Sequence, residues 1–157
     1  MITRIILDTT YLLPAFGVEV SVDSSDVILE VLERFLSMGG VIYVSTISVL
    51  EAYLKAYRLS EKKGNDKGIR AAEVGFMAIV NDNRILKVDF MEMEVFREAH
   101  RIRRTHGDPF DCFIFATAKA LGTPLVTEDR EAKRYLTEVV NWGEFKRRVL
   151  SASGGGT

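Results

Sequence analysis

One cysteine, Cys112, is all the chain has, so no intrachain disulfide can form. It lies inside an apolar stretch and reads as a small core residue. The chain also lacks an excess of charge of either sign: 21 basic residues stand against 22 acidic ones, for a net charge of -1. Nothing global therefore marks a nucleic-acid binder, and any contact with a polyanion must come from a local basic patch. No basic-then-apolar leader opens the sequence, and no apolar run approaches the ~20 residues that span a bilayer. The expectation is a cytoplasmic protein without a membrane segment. Internal repeats are absent, and low complexity begins only in the Gly/Ser tail over 151–157, which is expected to be disordered. What is present is ordinary. The 157 residues, 47% hydrophobic and 27% charged, suffice for one domain with a proper core, placed over 1–150.

The chain alternates between two kinds of segment. Thr3 to Leu7 is a short apolar run that reads as a strand covered on both faces, and it ends at Asp8. Val41 to Val44, Arg84 to Val88 and Pro124 to Thr127 read the same way, and Val139-Val140 reads as an edge strand. Between them, apolar residues recur at helical spacing. Val27, Ile28, Val31, Leu32, Phe35 and Leu36 form one such set, stopped by Gly39-Gly40. Further sets are Ile47 to Tyr57, Ile69 to Ile79 and Met91 to Ile102. A charged connector runs from Lys62 to Gly68, a short helix is expected over Ala132–Leu136, and Trp142, Phe145 and Val149 mark a closing helix. Strand–helix alternation of this kind predicts an α/β fold: a parallel central sheet with helices on both faces, in a single Rossmann-like domain. Ligands of such sheets bind beyond the carboxyl ends of the strands.

The stretch from Gly107 to Ala118 organises the rest. Asp108 is placed to be an N-cap, and Pro109 sits at the first helical position, where a missing N–H costs nothing. Asp111 falls at the capping-box position, and the chain after it is almost wholly apolar to Leu121. A buried helix that opens with paired carboxylates is either very well capped or the wall of a polar site. Asp8 and Asp129 each end a predicted strand, and Glu51 lies one helical turn beyond another, so all four acids can face one end of the sheet.

Carboxylates ~4 Å apart repel by about 4 kcal/mol at an effective dielectric of ~20, so a cluster needs protons or a cation. With oxygen ligands and no His or Cys expected among them, the predicted cation is hard: Mg²⁺, or Mn²⁺ in its place. Such an ion activates water and stabilises charge on phosphate, which is the chemistry of phosphodiester hydrolysis. Thr9, Ser45 and Thr127 lie near the acids in sequence and are expected to hydrogen-bond a carboxylate or a bound water. Each acid also has a plain reading as a turn former, helix cap or solvated side chain.

Four segments together resemble the PIN domain family, and within it the VapC type of small prokaryotic protein. They are Ile6-Leu7-Asp8-Thr9, the stretch from Val44 to Glu51, that from Asp111 to Ala118, and Leu125-Val126-Thr127-Glu128-Asp129. The resemblance implies a metal-dependent ribonuclease with Asp8, Glu51, Asp111 and Asp129 as its catalytic acids. The metal would be held by Asp8, Asp111 and Asp129, with Asp108 as an accessory. It also implies a homodimer and a small antitoxin partner whose extended segment covers the groove. Two departures stand out: a longer stretch between Asp8 and Glu51, and the charge-rich connector from Glu61 to Gly68. For RNA, the best local phosphate patch is Arg97, Arg101 and Arg104, which with Arg103, His100 and His106 lead into Gly107. Lys146-Arg147-Arg148 reads as solvated surface. Alternative readings are a PIN nuclease of RNA maturation without an antitoxin, and a PIN-like binding module without catalysis. A haloacid-dehalogenase-type phosphatase needs a second Asp two residues after the first, where this chain has Thr10.

Overall fold

A computed structural model describes residues 1–152 of the chain. Its centre is a five-stranded sheet of β1 (Arg4–Leu7), β2 (Val41–Ser45), β3 (Ile85–Val88), β4 (Leu125–Val126) and β5 (Val139–Val140). The strands lie in the order β3-β2-β1-β4-β5, and every neighbouring pair is parallel. Strand side chains alternate between faces, so continuous apolar runs supply two cores. Ile5, Leu7, Ile42, Val44 and Val126 enter one core, whereas Ile6 and Leu125 enter the other.

The helices divide between those faces. α1 (Ser25–Ser37), α2 (Thr46–Lys62), α3 (Asp66–Asn81) and α6 (Trp142–Ala152) contribute to the first core. α4 (Met93–Arg103) and α5 (Pro109–Leu121) build the second. Each fully buried aliphatic side chain stabilises this arrangement by roughly 1.5–3 kcal/mol relative to exposure. Local chemistry sets the helix ends. Ser24, Ser45, Asn65 and Asp108 accept hydrogen bonds from first-turn backbone N–H groups of α1, α2, α3 and α5. Gly122, at φ 56°, ends α5 in the left-handed conformation.

The expected α/β architecture with a parallel sheet is therefore found. Asn65 nucleates α3 close behind α2, which reduces the charged connector to a few residues. The helix expected over Ala132–Leu136 is a 3-10 turn, Arg130–Arg134, started by Asp129. α6 continues through Ser151 and Ala152, so the first two residues of the expected tail are helical; its remainder, 153–157, lies outside the described residues. No helix among the described residues is long and apolar enough to cross a membrane.

Strand order positions the site. From β1 the sheet grows one way through β2 and β3 and the other way through β4 and β5. That reversal opens a crevice at the carboxyl ends of β1 and β4, where Leu7 pairs with Val126. Elsewhere α3 packs tightly on a 3-10 segment, Leu13–Phe16, through Gly75. A Cβ there would lie 2.5 Å from the Ala15 carbonyl oxygen and 2.8 Å from Phe16 Cα. Both are backbone atoms, which do not swing aside. Gly75→Ala is expected to destabilise the protein by about 1–3 kcal/mol of overpacking, outweighing the ~1 kcal/mol that alanine offers a helix interior. Thermal unfolding followed by circular dichroism should show a Tm several degrees lower; an unchanged or raised Tm would contradict this packing.

Candidate metal centre

Asp8 leaves β1 at the crevice. Its backbone N–H donates to the Val126 carbonyl at 3.1 Å, which continues the β1–β4 ladder by one residue. Its carboxylate accepts from Thr9 N at 2.7 Å and from Thr127 Oγ1 at 2.6 Å. Thr127 is buried, and its hydroxyl oxygen also accepts from Asp129 N at 3.0 Å. One threonine thus couples the acids that follow the two central strands. Asp129 starts the next 3-10 turn by accepting from Glu131 N at 2.8 Å.

α5 delivers the third acid. Asp108 is its N-cap, accepting from Phe110 N at 2.8 Å and Asp111 N at 3.3 Å through one oxygen. Asp111 does not reach back to complete a capping box; its Oδ2 lies 3.1 Å from His106 Nε2. Glu51, buried on α2, lies 3.5 Å from Lys55 Nζ one turn on. Ser45, buried at the end of β2, accepts from Ile47 N at 3.2 Å and so caps α2. Arg97, Arg101 and Arg104 are exposed on and just after α4, away from its buried Val95, Ala99 and Ile102. Arg101 is paired with Glu98. Glu128, the neighbour of Asp129, accepts from Tyr11 Oη and from Trp142 N, which makes it a structural tie to α6.

The electrostatics report crowding. Burial pushes the Asp8 carboxyl above its ordinary value, against the pull of the Thr127 and Thr9 hydrogen bonds; Glu51 adds to the rise and Lys55 opposes it. Asp111 is pushed up to about 6, first by desolvation and then by Asp108, Asp8 and Asp129, while its contact with His106 works the other way. Glu51 therefore acts on Asp8, and Asp108, Asp8 and Asp129 act on Asp111. One ligand atom from each of His106, Asp111 and Asp129 lies within 4.8 Å of the others, a cluster suitable for a divalent cation. Two buried hydroxyl oxygens, Thr9 Oγ1 beside Asp8 and Ser48 Oγ one turn before Glu51, have no hydrogen-bond partner. Crowded carboxylates with raised proton affinity, a nearby imidazole and unpaired hydroxyls form a donor set that fits a hydrated divalent ion.

The sequence places His106 in a basic run close to Asp111 and gives no sign of Glu131. His106 is buried, and its Nδ1 lies 3.0 Å from Glu131 Oε2. The one signal in the sequence was the proximity of His106 to Asp111; the turn that folds the ring back over α5 has no periodic pattern to announce it.

The fold recurs in known proteins. VapBC2 from Rickettsia felis, solved "bound to a DNA fragment from their promoter", is similar at TM-score 0.60 and 20% identity, over 88% of this chain and 98% of that one. VapC20 of Mycobacterium tuberculosis, described as a "Sarcin-Ricin loop cleaving toxin", is similar at TM-score 0.58 and 16% identity, over 83% and 93%. PAE2754 from Pyrobaculum aerophilum is similar at TM-score 0.63 and 15% identity, over 95% and 90%. At these identities the likeness is one of fold. No curated protein matches the chain in sequence. Residues 5–136, which carry β1 through the 3-10 turn beyond Asp129, match the family model for the PIN domain, and the chain belongs to that family.

Proposed function

We propose that this protein is a divalent-metal-dependent endoribonuclease, the toxin of a toxin–antitoxin pair. The observation that supports the reading is the tie of Asp8 to the Asp129 backbone through Thr127, together with acidic neighbours close enough to raise the proton affinity of Asp8 and Asp111. Isolated caps and turn formers have no reason to produce that electrostatic conflict. The similar VapC20 carries the description "Sarcin-Ricin loop cleaving toxin", which favours RNA as the substrate class.

In this reading Asp8, Asp111 and Asp129 hold Mg²⁺ or Mn²⁺. When bound, the ion supplies an acidified water and neutralises charge on the phosphate and the leaving oxygen. The chain's own residues do the rest. Thr127 holds Asp8 and Asp129 in register, and Asp108 fixes the first turn of α5 so that Asp111 faces the crevice. Glu51, kept in place by Lys55, orients the attacking water, and the unpaired Thr9 hydroxyl is free to bind a second one. Ser45 acts indirectly, by capping the helix that carries Glu51. Arg97, Arg101 and Arg104 offer cations to the RNA backbone beyond the acids. For the antitoxin and a second copy of the chain, the exposed Met91, Met93 and Phe96 offer apolar surface, with Phe90 packed more deeply on Phe113.

Incubating the purified protein with a mixed RNA pool tests this directly. Cleavage is expected with Mg²⁺ or Mn²⁺, none with excess chelator, and none from Asp8→Asn or Asp111→Asn, which should keep wild-type circular dichroism. A double Asn variant that cuts at the wild-type rate would sink the proposal.

Stability should respond to pH in a specific direction. The folded Asp111 carboxyl holds a proton to about pH 6, whereas the unfolded chain releases it near the ordinary value of 3.8. The folded state therefore binds more protons across that window, and stability falls as pH rises through it. The chelated wild type should lose more Tm between pH 4.5 and pH 7 than Asp111→Asn does, and saturating Mn²⁺ at pH 7 should restore it. Parallel melting curves for the two proteins would contradict the crowding.

A further inference from the structure

α4 buries one side and shows the other. Val95, Ala99 and Ile102 face the core. Met93, Phe96, Arg97, His100, Arg101 and Arg104 are all exposed. At roughly 100° per residue these exposed positions fall within an arc of about 140°, opposite the buried ones, so they form one continuous face. Phe96 is 49% exposed, and its ring is nearly parallel to that of His100, with centroids 6.2 Å apart and 19° between the planes. Behind it stands Phe113, with ring centroids 6.5 Å apart, which packs edge-on against Phe90. The Phe96 ring is thus supported from within and presented on a rigid helix, so a ligand that covers it loses little by ordering it.

A single exposed phenylalanine is ordinary in any protein. Here two flat rings stand among arginines, which a merely solvated face has no reason to supply. Arg97 follows Phe96 in the chain, and Arg104 lies one turn beyond His100. Among the described residues neither arginine side chain meets an acid, whereas Arg101 is held by Glu98. Cations for the backbone beside rings for the bases are the means by which single-stranded nucleic acid is held. A duplex keeps its base faces stacked on one another and offers them to no side chain. The face also leads to the acids. Arg104 comes two residues before His106, whose Nε2 lies 3.1 Å from Asp111 Oδ2, and Phe96 is about 12 Å back along the helix. We infer that this face of α4 is a stacking platform for single-stranded RNA, with Phe96 and His100 against bases and Arg97 and Arg104 against phosphates. This rests on the RNA-directed reading above and adds which form of RNA is taken. The flanking arginines decide against a protein cover for Phe96 itself, because an apolar surface there would strip water from both.

The test reads binding apart from cleavage. The full chain, in excess chelator, is titrated into fluorescently labelled strands and their anisotropy is followed. The probes are oligouridine, an abasic strand of the same length and backbone, and an RNA duplex. The wild type should bind oligouridine more tightly than the abasic strand, by about 5–150-fold for each base that stacks. Phe96→Leu keeps an apolar side chain against Phe113 but removes the flat ring. It should erase most of that advantage, with duplex affinity and circular dichroism unchanged, and Phe96→Tyr should retain it. Arg97→Gln or Arg104→Gln should weaken all probes alike and lower the salt slope by about 0.7 each, which Phe96→Leu should not do. Equal wild-type affinity for oligouridine and the abasic strand would overturn the inference; if that protein still cuts RNA with Mn²⁺, the nuclease reading stands. The expected affinities in a protein that cuts nothing would support the platform and remove the nuclease reading. Phe96→Leu that lowers the particle mass in light scattering, with oligouridine affinity unchanged, would assign the ring to a protein contact and overturn the inference.

Discussion

The bond from Thr127 to Asp8 is the point on which the site depends. It crosses from the end of β4 to the end of β1, the two strands at which the sheet changes direction. Because the same hydroxyl oxygen receives the Asp129 N–H, one buried side chain sets the relation between two acids far apart in sequence. The parallel β1–β4 pairing supplies the rigid frame, and the Asp8 N–H to Val126 carbonyl bond carries it one residue past the strand. Helices then bring further acids to a place already defined. α2 presents Glu51 about one turn after its Ser45 cap, and α5 presents Asp111 in its first turn.

Such an arrangement opposes stability. Taking carboxylates out of water beside one another disfavours their charged forms, and the raised proton affinity of Asp8 and Asp111 expresses that conflict. The chain answers it with local compensation: backbone and threonine donors on Asp8, Lys55 beside Glu51, His106 beside Asp111. The rest of the fold supplies apolar burial on both faces of the sheet, and the short covered strands allow the site to sit between two cores. Asp108 shows how economically one residue can serve both ends. It satisfies N–H groups at the start of α5, and its charge adds to the pressure on Asp111.

The parts of this structure that were legible in the sequence are those with a period. Ile5, Ile6 and Leu7 announce a strand buried on both faces, and the spacing of Ile28, Val31 and Phe35 announces α1, because burial on a regular backbone leaves a regular trace. Caps were legible for a similar reason: Asp108 followed by Pro109 has few other physical uses. Asp111 shows where the local rule stops. Its spacing fits a capping box, yet its carboxylate turns to a histidine held by the preceding turn, a tertiary contact that no local pattern encodes. The contact between Glu131 and His106 was illegible for the same reason, since it joins two turns that meet where His106, Phe115 and Tyr135 pack together. The short 3-10 turn after Asp129 likewise reads in sequence as a stub of ordinary helix.

Electrostatics also constrain the order in which the proposed partners can meet. The chain is nearly neutral overall, and its crevice, lined by acids, repels a phosphodiester while metal is absent. The arginines do not reverse this by themselves. Arg101 is engaged by Glu98, and Arg103 donates to the His106 carbonyl, so one neutralises a neighbour and the other serves the fold. For the proposed substrate, Arg97 on α4 and Arg104 just after it would attract the RNA backbone without placing a phosphate among the carboxylates. On the proposed reading, cation and phosphate must therefore strengthen each other's binding at the crevice. Linkage makes that coupling reciprocal: whatever factor the ion adds to RNA affinity, RNA adds to ion affinity. A site built mainly of carboxylates, rather than of lysines and arginines, is suited to that dependence, because its own charge withholds the scissile phosphate until the counter-charge is present.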